Sequence, residues 1–208
     1  MAPLSPGEQP RGAPVRWARV LGVVLLLVLA GTAWLWARSD PRADEYLRYF
    51  SESHQPAHFA FGTLSEQWTE ATLAERFAGH PVSCHAYRGS PRADRACAVR
   101  VHAHNGVPTL FIAFFFGGGR LQQVSVNIPW WSLETAQRSL VDSMGPPQGV
   151  QDQPHGGVRL VGWPLPDGAA LFVNRDRDAN PLVWNAIQWF SPALCAAGCF
   201  TGRPDTPS

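Results

Sequence analysis

The sequence contains no lysine: all 17 basic residues among its 208 are arginine. We read this as compositional bias of the kind a GC-rich genome produces, not as function. It does remove one reading, since Gly117-Gly118-Gly119 has no lysine after it and is followed by a strand pattern, so it is not a phosphate loop. Charge of either sign is scarce, at 16% of residues, and the net charge is +1. Neither nucleic acid nor an acidic surface is therefore implied as a partner. There is no Gly-x-Ser-x-Gly and no Cys-x-x-Cys. Asp44 and Glu45 are adjacent carboxylates, but acidic charge at a helix start explains them. No catalytic residue and no cofactor is indicated. Turn formers are abundant, with 19 glycines and 19 prolines, which favours short strands over long helices.

Val20 to Ala37 carries no charge. At about 1.5 Å per residue it reaches roughly 27 Å, close to a bilayer core. Trp17 stands before it, and Trp34 and Trp36 at its far end, where indole rings favour the headgroup level. We expect a transmembrane helix over 20–37, with 1–19 as a short cytoplasmic tail. Arg11, Arg16 and Arg19 before the span balance Arg38, Arg42 and Arg48 after it, so charge does not set the orientation. The short leading tail and the position of all four cysteines after the span favour an inner-membrane, single-pass protein with its C-terminal part periplasmic or extracellular. A cleaved signal peptide is the rival: Gly31-Thr32-Ala33 could be cut, but Trp34-Leu35-Trp36 continue the apolar run. Thr32 stands where a lipoprotein signal would need cysteine.

Beyond the span, Asp40-Pro41 signals a helix start, with Pro41 at the first helical position, and Tyr46, Tyr49 and Phe50 share one side of a helix near the membrane. Residues 38–62 read as this helix and a linker. An α+β domain over 63–192 follows, in two units of about 63–129 and 130–192. Each opens with a helix, Leu64–Ala78 and Leu133–Met144, stopped by Gly79-His80-Pro81 and Gly145-Pro146-Pro147. Each continues as a three-stranded antiparallel meander: 98–104, 109–116 and 120–128, then 158–163, 169–175 and 182–190. Asn105-Gly106 marks a tight hairpin. Thr109–Phe116 is apolar on both faces and is expected at the sheet centre. Phe111, Phe114, Phe116, Phe172, Ile187 and Trp189 are the expected core. Residues 193–208 form a cysteine-containing tail.

A helix ending in Gly-x-Pro or Gly-Pro and then a meander, in tandem, resembles the β-lactamase inhibitor protein fold. Single copies of the unit are similar to small lipoproteins of outer-membrane assembly. The resemblance covers about 63–190 and implies a binding module of the cell envelope, not an enzyme. None of that family's binding residues matches a position here.

Cys84, Cys97, Cys195 and Cys199 make an even set, and outside the cytoplasm an even set favours two disulfides. Of the three pairings we favour Cys84–Cys97, closing a polar loop over 85–96, and Cys195–Cys199. Twelve residues between the first two argue against a four-cysteine zinc site. His102 and His104, on one face of a strand, are half of a metal site at most. Trp130 and Trp131 fall where the two units meet, and we expect one ring in the seam and the other free for a partner. The expected function is a membrane-anchored, protein-binding or envelope-assembly module. The competing classes are an envelope hydrolase or redox enzyme, and a metal sensor built on His102 and His104.

Overall fold

The computed structural model describes residues 14–40, 42–152 and 158–202, and within the first helix the side chains of 19–32. The chain divides into two compact units, one ending at Ala43 and one beginning at Asp44. The first is helix α1, Pro14–Ser39. Its large apolar side chains from Val20 to Leu29 are each more than half exposed, from 51% at Val24 to 68% at Leu26. Among the described residues no helix is long and apolar enough to cross a membrane. The described side chains of α1 cover about 21 Å, short of the ~30 Å of a hydrocarbon core. The tail, Trp17, Trp34, Trp36 and Pro41 lie outside the described side chains.

Helix α2, Arg42–Ser51, starts where Asp40 accepts the Arg42 N–H at 2.9 Å. The second unit is α+β. Helix α3 (Glu70–Arg76) precedes strands β1 (Val82–Ser90), β2 (Ala93–Val99), β3 (Ala103–His104), β4 (Val107–Pro108), β5 (Phe111–Gly117) and β6 (Arg120–Ile128). Helix α4 (Leu133–Met144) precedes β7 (Gly149–Asp152), β8 (Arg159–Pro164), β9 (Ala170–Asn174) and β10 (Asn185–Phe190), and a short α5 (Pro192–Cys195) ends the fold. The main sheet is antiparallel and ordered β1-β2-β5-β6-β10-β9-β8-β7. That order reads the same from either edge: four strands of each half, joined where β6 meets β10.

Each helix is thus followed by four sheet strands, where the pattern of residues suggested three. Two of the missed strands, β1 and β7, are edges, and the interior β2 is matched by the expected strand 98–104 only at Ala98 and Val99. In β1 only Val82, Tyr87 and Ser90 are even partly buried, and β7 has four residues. A strand paired on one side and wet on both faces has no alternation to betray it. Residues 98–104 are not one strand either. Strand β2 ends at Val99, its pairing with β1 closed by the Arg100 N–H on Pro81 O at 3.0 Å, and β3–β4 form a separate hairpin. Its turn is Asn105-Gly106, with φ of 48° and 82°, the primed geometry that this dipeptide favours. The sheet centre falls between β6 and β10, and β5 is interior, next to β6.

The first helix starts late. The Thr69 hydroxyl accepts the Thr72 N–H at 3.3 Å, while the Trp68 carbonyl is taken by the Leu121 N–H at 3.1 Å. Residues 64–68 therefore form a turn, with Leu64 and Trp68 still buried. Residues 51–62 are no free linker: Ala57 bridges β3 through both its backbone groups, and Phe61 joins the core.

One sheet face meets α3, α4 and the Phe61 turn. It carries Val99, Ile112, Phe114, Phe116, Val124, Val126, Trp163, Val173, Ile187 and Trp189, all buried. Burying such side chains stabilises by about 1.5–3 kcal/mol each. Phe111 was expected with them but has the opposite parity to Phe114. It lies half-buried on the second face, edge-on to Trp184 at 5.7 Å. Phe172 is buried on the second face too, under Phe190 and Phe200. Gly162 faces that ring closely; a Cβ there would sit 2.4 Å from Phe172. The residues from α5 to Gly202 are accordingly part of the fold, and Val150 exchanges backbone hydrogen bonds with Thr201 and Gly202.

Candidate functional site

Both disulfides are present as Cys84–Cys97 and Cys195–Cys199. The segment that the first closes is the β1–β2 hairpin and not an irregular loop. Cys84 and Cys97 stand opposite one another in β1 and β2, with Cα atoms 4.0 Å apart. It fastens an exposed edge strand. The second fastens the turn after α5 beneath which Phe172 and Leu160 are buried.

The two histidines separate. His102 is exposed and lies flat on Tyr49, ring centroids 4.6 Å apart and planes 1° from parallel. His104 is 2% exposed, and its Nε2–H donates to Phe59 O at 3.2 Å. Burial holds its pKa down at about 4, although the Phe59 carbonyl pulls the other way and His58 adds to the fall. A neutral, packed imidazole beside an exposed stacked one is not a paired ligand set. Among the described residues, the group of His, Cys, Asp or Glu atoms close enough to hold an ion is Glu70 with Cys84 and Cys97, and both sulfurs are in the disulfide. Glu70 is instead held by the Arg95 guanidinium through two 2.9 Å hydrogen bonds, which lower its pKa.

Trp130 and Trp131 begin a single 3-10 turn before α4 and part company there. Trp130 is tied on every side. Its backbone N–H donates to the Tyr46 hydroxyl at 3.1 Å, and its indole N–H to Asp178 O at 2.7 Å. The Asn185 amide reaches its carbonyl, and the Arg177 guanidinium lies 4.9 Å from its ring centre. Through its backbone and its ring together, Trp130 joins α2, the 178 turn and the start of α4. Trp131 points away and is 45% exposed, within 5.8 Å of Phe50 and 5.6 Å of Tyr46.

The second sheet face holds a site that motif reading missed. A crevice of about 250 Å³ is walled by Phe115 and Phe190 and lined with Arg92, Gln122, Gln123 and Gln151. A bulge builds it: Phe115 opposes Gln123 and Phe116 opposes Leu121, so Gln122 is the extra residue. The Gln151 Oε1 is buried with no hydrogen-bond donor among the described residues. An unpaired buried amide oxygen costs about 1–3 kcal/mol, and an incoming donor would recover that. The signal in the sequence was the Gln122-Gln123 interruption of the β6 alternation. Gln151 and Arg92 gave none, being on an unrecognised edge strand and a hairpin tip. No protein-family model, no curated protein and no solved structure matches the chain.

Proposed function

We propose that the chain is a single-pass inner-membrane protein, N-terminus cytoplasmic, whose folded part binds another envelope protein in the periplasm or outside the cell. The charge-free run 20–37 and the exposed valines and leucines of α1 support the anchor. Two disulfides support an oxidising compartment. A strand order that is the same from both edges supports a tandem repeat of one helix-and-meander unit. Net charge of +1 favours no nucleic acid.

The observation that carries the binding role is the crevice on the second sheet face. It offers aromatic walls, three glutamine amides and one buried oxygen with no donor among the described residues. That combination suits a partner side chain which brings an N–H and apolar bulk together. A photo-crosslinking residue at Phe115, in the full chain in its native membrane, is expected to give one discrete protein adduct. The same residue at Asp142, on the exposed side of α4, is the control. Equal adducts at both positions, or none at Phe115, would end this reading. A reporter active only outside the cytoplasm, fused after Ser208, checks the topology.

A further inference from the structure

Outside α1, the exposed large apolar side chains among the described residues are Leu47 (59%), Phe50 (71%), Trp131 (45%) and Val141 (41%). The first three form one patch. Leu47 and Phe50 are three apart on α2 and so share a helix face. Phe50 stacks on Trp131 at 5.8 Å and 24°. The rings are held from beneath: Tyr46 is 7% exposed and packs on Trp131, and Tyr49 meets Phe50 edge-on at 5.3 Å. These side chains are not merely uncovered. Their neighbours fix them in the exposed position, so little side-chain entropy remains to be lost when the patch is covered.

We infer that this patch seats in the headgroup and acyl boundary of the same bilayer that holds α1. The inference rests on the anchor reading above. Leu47 follows Ser39 by eight positions, and even a fully extended chain of that length reaches only about 27 Å. A domain tethered so closely keeps the patch within reach of the membrane surface at all times. The chemistry fits that surface. Trp and Tyr favour the interfacial zone, where one end of the ring is apolar and the other wet. An amphipathic helix lies in that plane with its apolar face a few ångströms deep. The charges around the patch are of both signs: Asp44 and Arg48 on α2, and the pairs Glu45–Arg100 and Glu134–Arg177. Seating should therefore depend on apolar insertion, and anionic lipid should change it little.

The test uses the full chain reconstituted in phosphatidylcholine vesicles at high lipid excess. All four native cysteines are in disulfides, so one added cysteine can carry a nitroxide. Three sites are compared: Leu47→Cys in the patch, Val28→Cys in α1, and Arg120→Cys at the opposite end of β6 from the tryptophans. The readout is accessibility to oxygen relative to a water-soluble relaxant. We expect the ratio at position 47 to exceed that at 120 by about threefold or more, and to fall below that at 28, as an interfacial depth requires. Adding Phe50→Ser and Trp131→Ser should return position 47 to the value at 120. Replacing a third of the lipid with phosphatidylglycerol should leave the ratio at 47 unchanged. If 28 reads as hydrocarbon while 47 reads as water, the inference falls and the anchor stands. If 28 itself reads as water, the anchor fails and takes the inference with it. Spin–spin broadening at 47 would mean that a second copy covers the patch, and would overturn the lipid assignment.

Discussion

The indole N–H of Trp163 donates to the carbonyl of Gly145 at 2.9 Å, tying strand β8 to the residue that ends α4. Trp189 is equally buried, at 0% against 1%, but its indole N–H has no acceptor among the described residues. The two rings should therefore answer differently to the same substitution. Trp163→Phe removes a made hydrogen bond and leaves the Gly145 carbonyl short of a donor. Trp189→Phe removes an unmade one. Both lose similar volume. We expect Trp163→Phe to be the more destabilising by about 1–3 kcal/mol. Denaturant melts of the two variants, compared with the parent, would show the idea wrong if they coincided.

Gly145 itself has φ 79° and ψ −171°, a region essentially reserved for glycine. Gly145→Ala should cost about 1–3 kcal/mol through backbone strain. Because it also shifts the carbonyl that Trp163 holds, its effect should not add to that of Trp163→Phe. A double-mutant cycle giving strict additivity would mean that the hydrogen bond does not couple the two elements.

The disulfides differ in what they constrain. In the chain-entropy account, the 13-residue separation of Cys84 and Cys97 predicts about 3 kcal/mol of stabilisation. The 4-residue separation of Cys195 and Cys199 predicts about 2 kcal/mol. Replacing each pair by alanine and measuring the urea midpoint tests the order. Removing Cys195–Cys199 should also loosen the cover over Phe172, seen as faster amide exchange in β8 and β9 while β1 and β2 stay protected.

What was legible in the residues followed from burial. The strands of the inner sheet have apolar faces that must be covered, and Val124, Val126 and Ile128 announce β6 by alternation alone. The Asn105-Gly106 turn and the Gly145-Pro146 stop depend on local backbone preference and were equally visible, whereas α3 ends at Arg76, ahead of the expected stop at Gly79. The edge strands were not. Ser83, Cys84 and His85 are exposed in a strand paired only with β2, so nothing in their polarity separates strand from loop. Helix α3 was overextended because Leu64 and Trp68 are buried at helical spacing in a turn that a Thr69 cap and a strand hydrogen bond keep from becoming helix. His102 and His104 were placed on one face by a period of two, and the end of β2 at Val99 undid it. The crevice was least legible of all, since a bulge, a hairpin tip and an edge strand form it together.

Trp130 and Trp131 are neighbours with opposite expected behaviour. Trp130→Ala removes a half-buried ring that is hydrogen-bonded to Asp178 O and covered by Arg177. A loss of about 2–4 kcal/mol is expected. Trp131→Ala removes a ring that is 45% exposed and rests on the exposed Phe50 and the edge of the buried Tyr46, so it should cost under about 1 kcal/mol. Thermal melts in detergent, away from any bilayer, separate the two. Equal losses would place Trp131 in the core rather than on the surface.

The last prediction concerns acid. His104 sits in a fold-specific environment: 2% exposed, between the rings of Phe59 and Phe61, with its Nε2–H on the Phe59 carbonyl. Burial lowers its pKa from 6.5 to about 4. The neutral ring is thus the form the native state keeps, and the unfolded chain takes up the proton first. The stabilisation is fully present above pH 6.5, declines as pH falls below that value, and is gone once pH has passed through about 4. A depression of this size corresponds to about 3 kcal/mol between neutral and acid conditions. The Glu70–Arg95 pair begins to lose its contribution only as pH falls past the ordinary Glu value of 4.5, because Glu70 is held below that value in the fold, so the span from pH 6.5 to about 5 belongs to His104 rather than to this pair. His104→Gln retains a donor for the Phe59 carbonyl without a titrating ring. Its stability should be nearly flat from pH 6.5 to about 5, while the parent falls across the same window. If urea melts show the parent and His104→Gln declining in parallel there, then His104 titrates alike in the folded and unfolded chain, and the imidazole is not shielded from water.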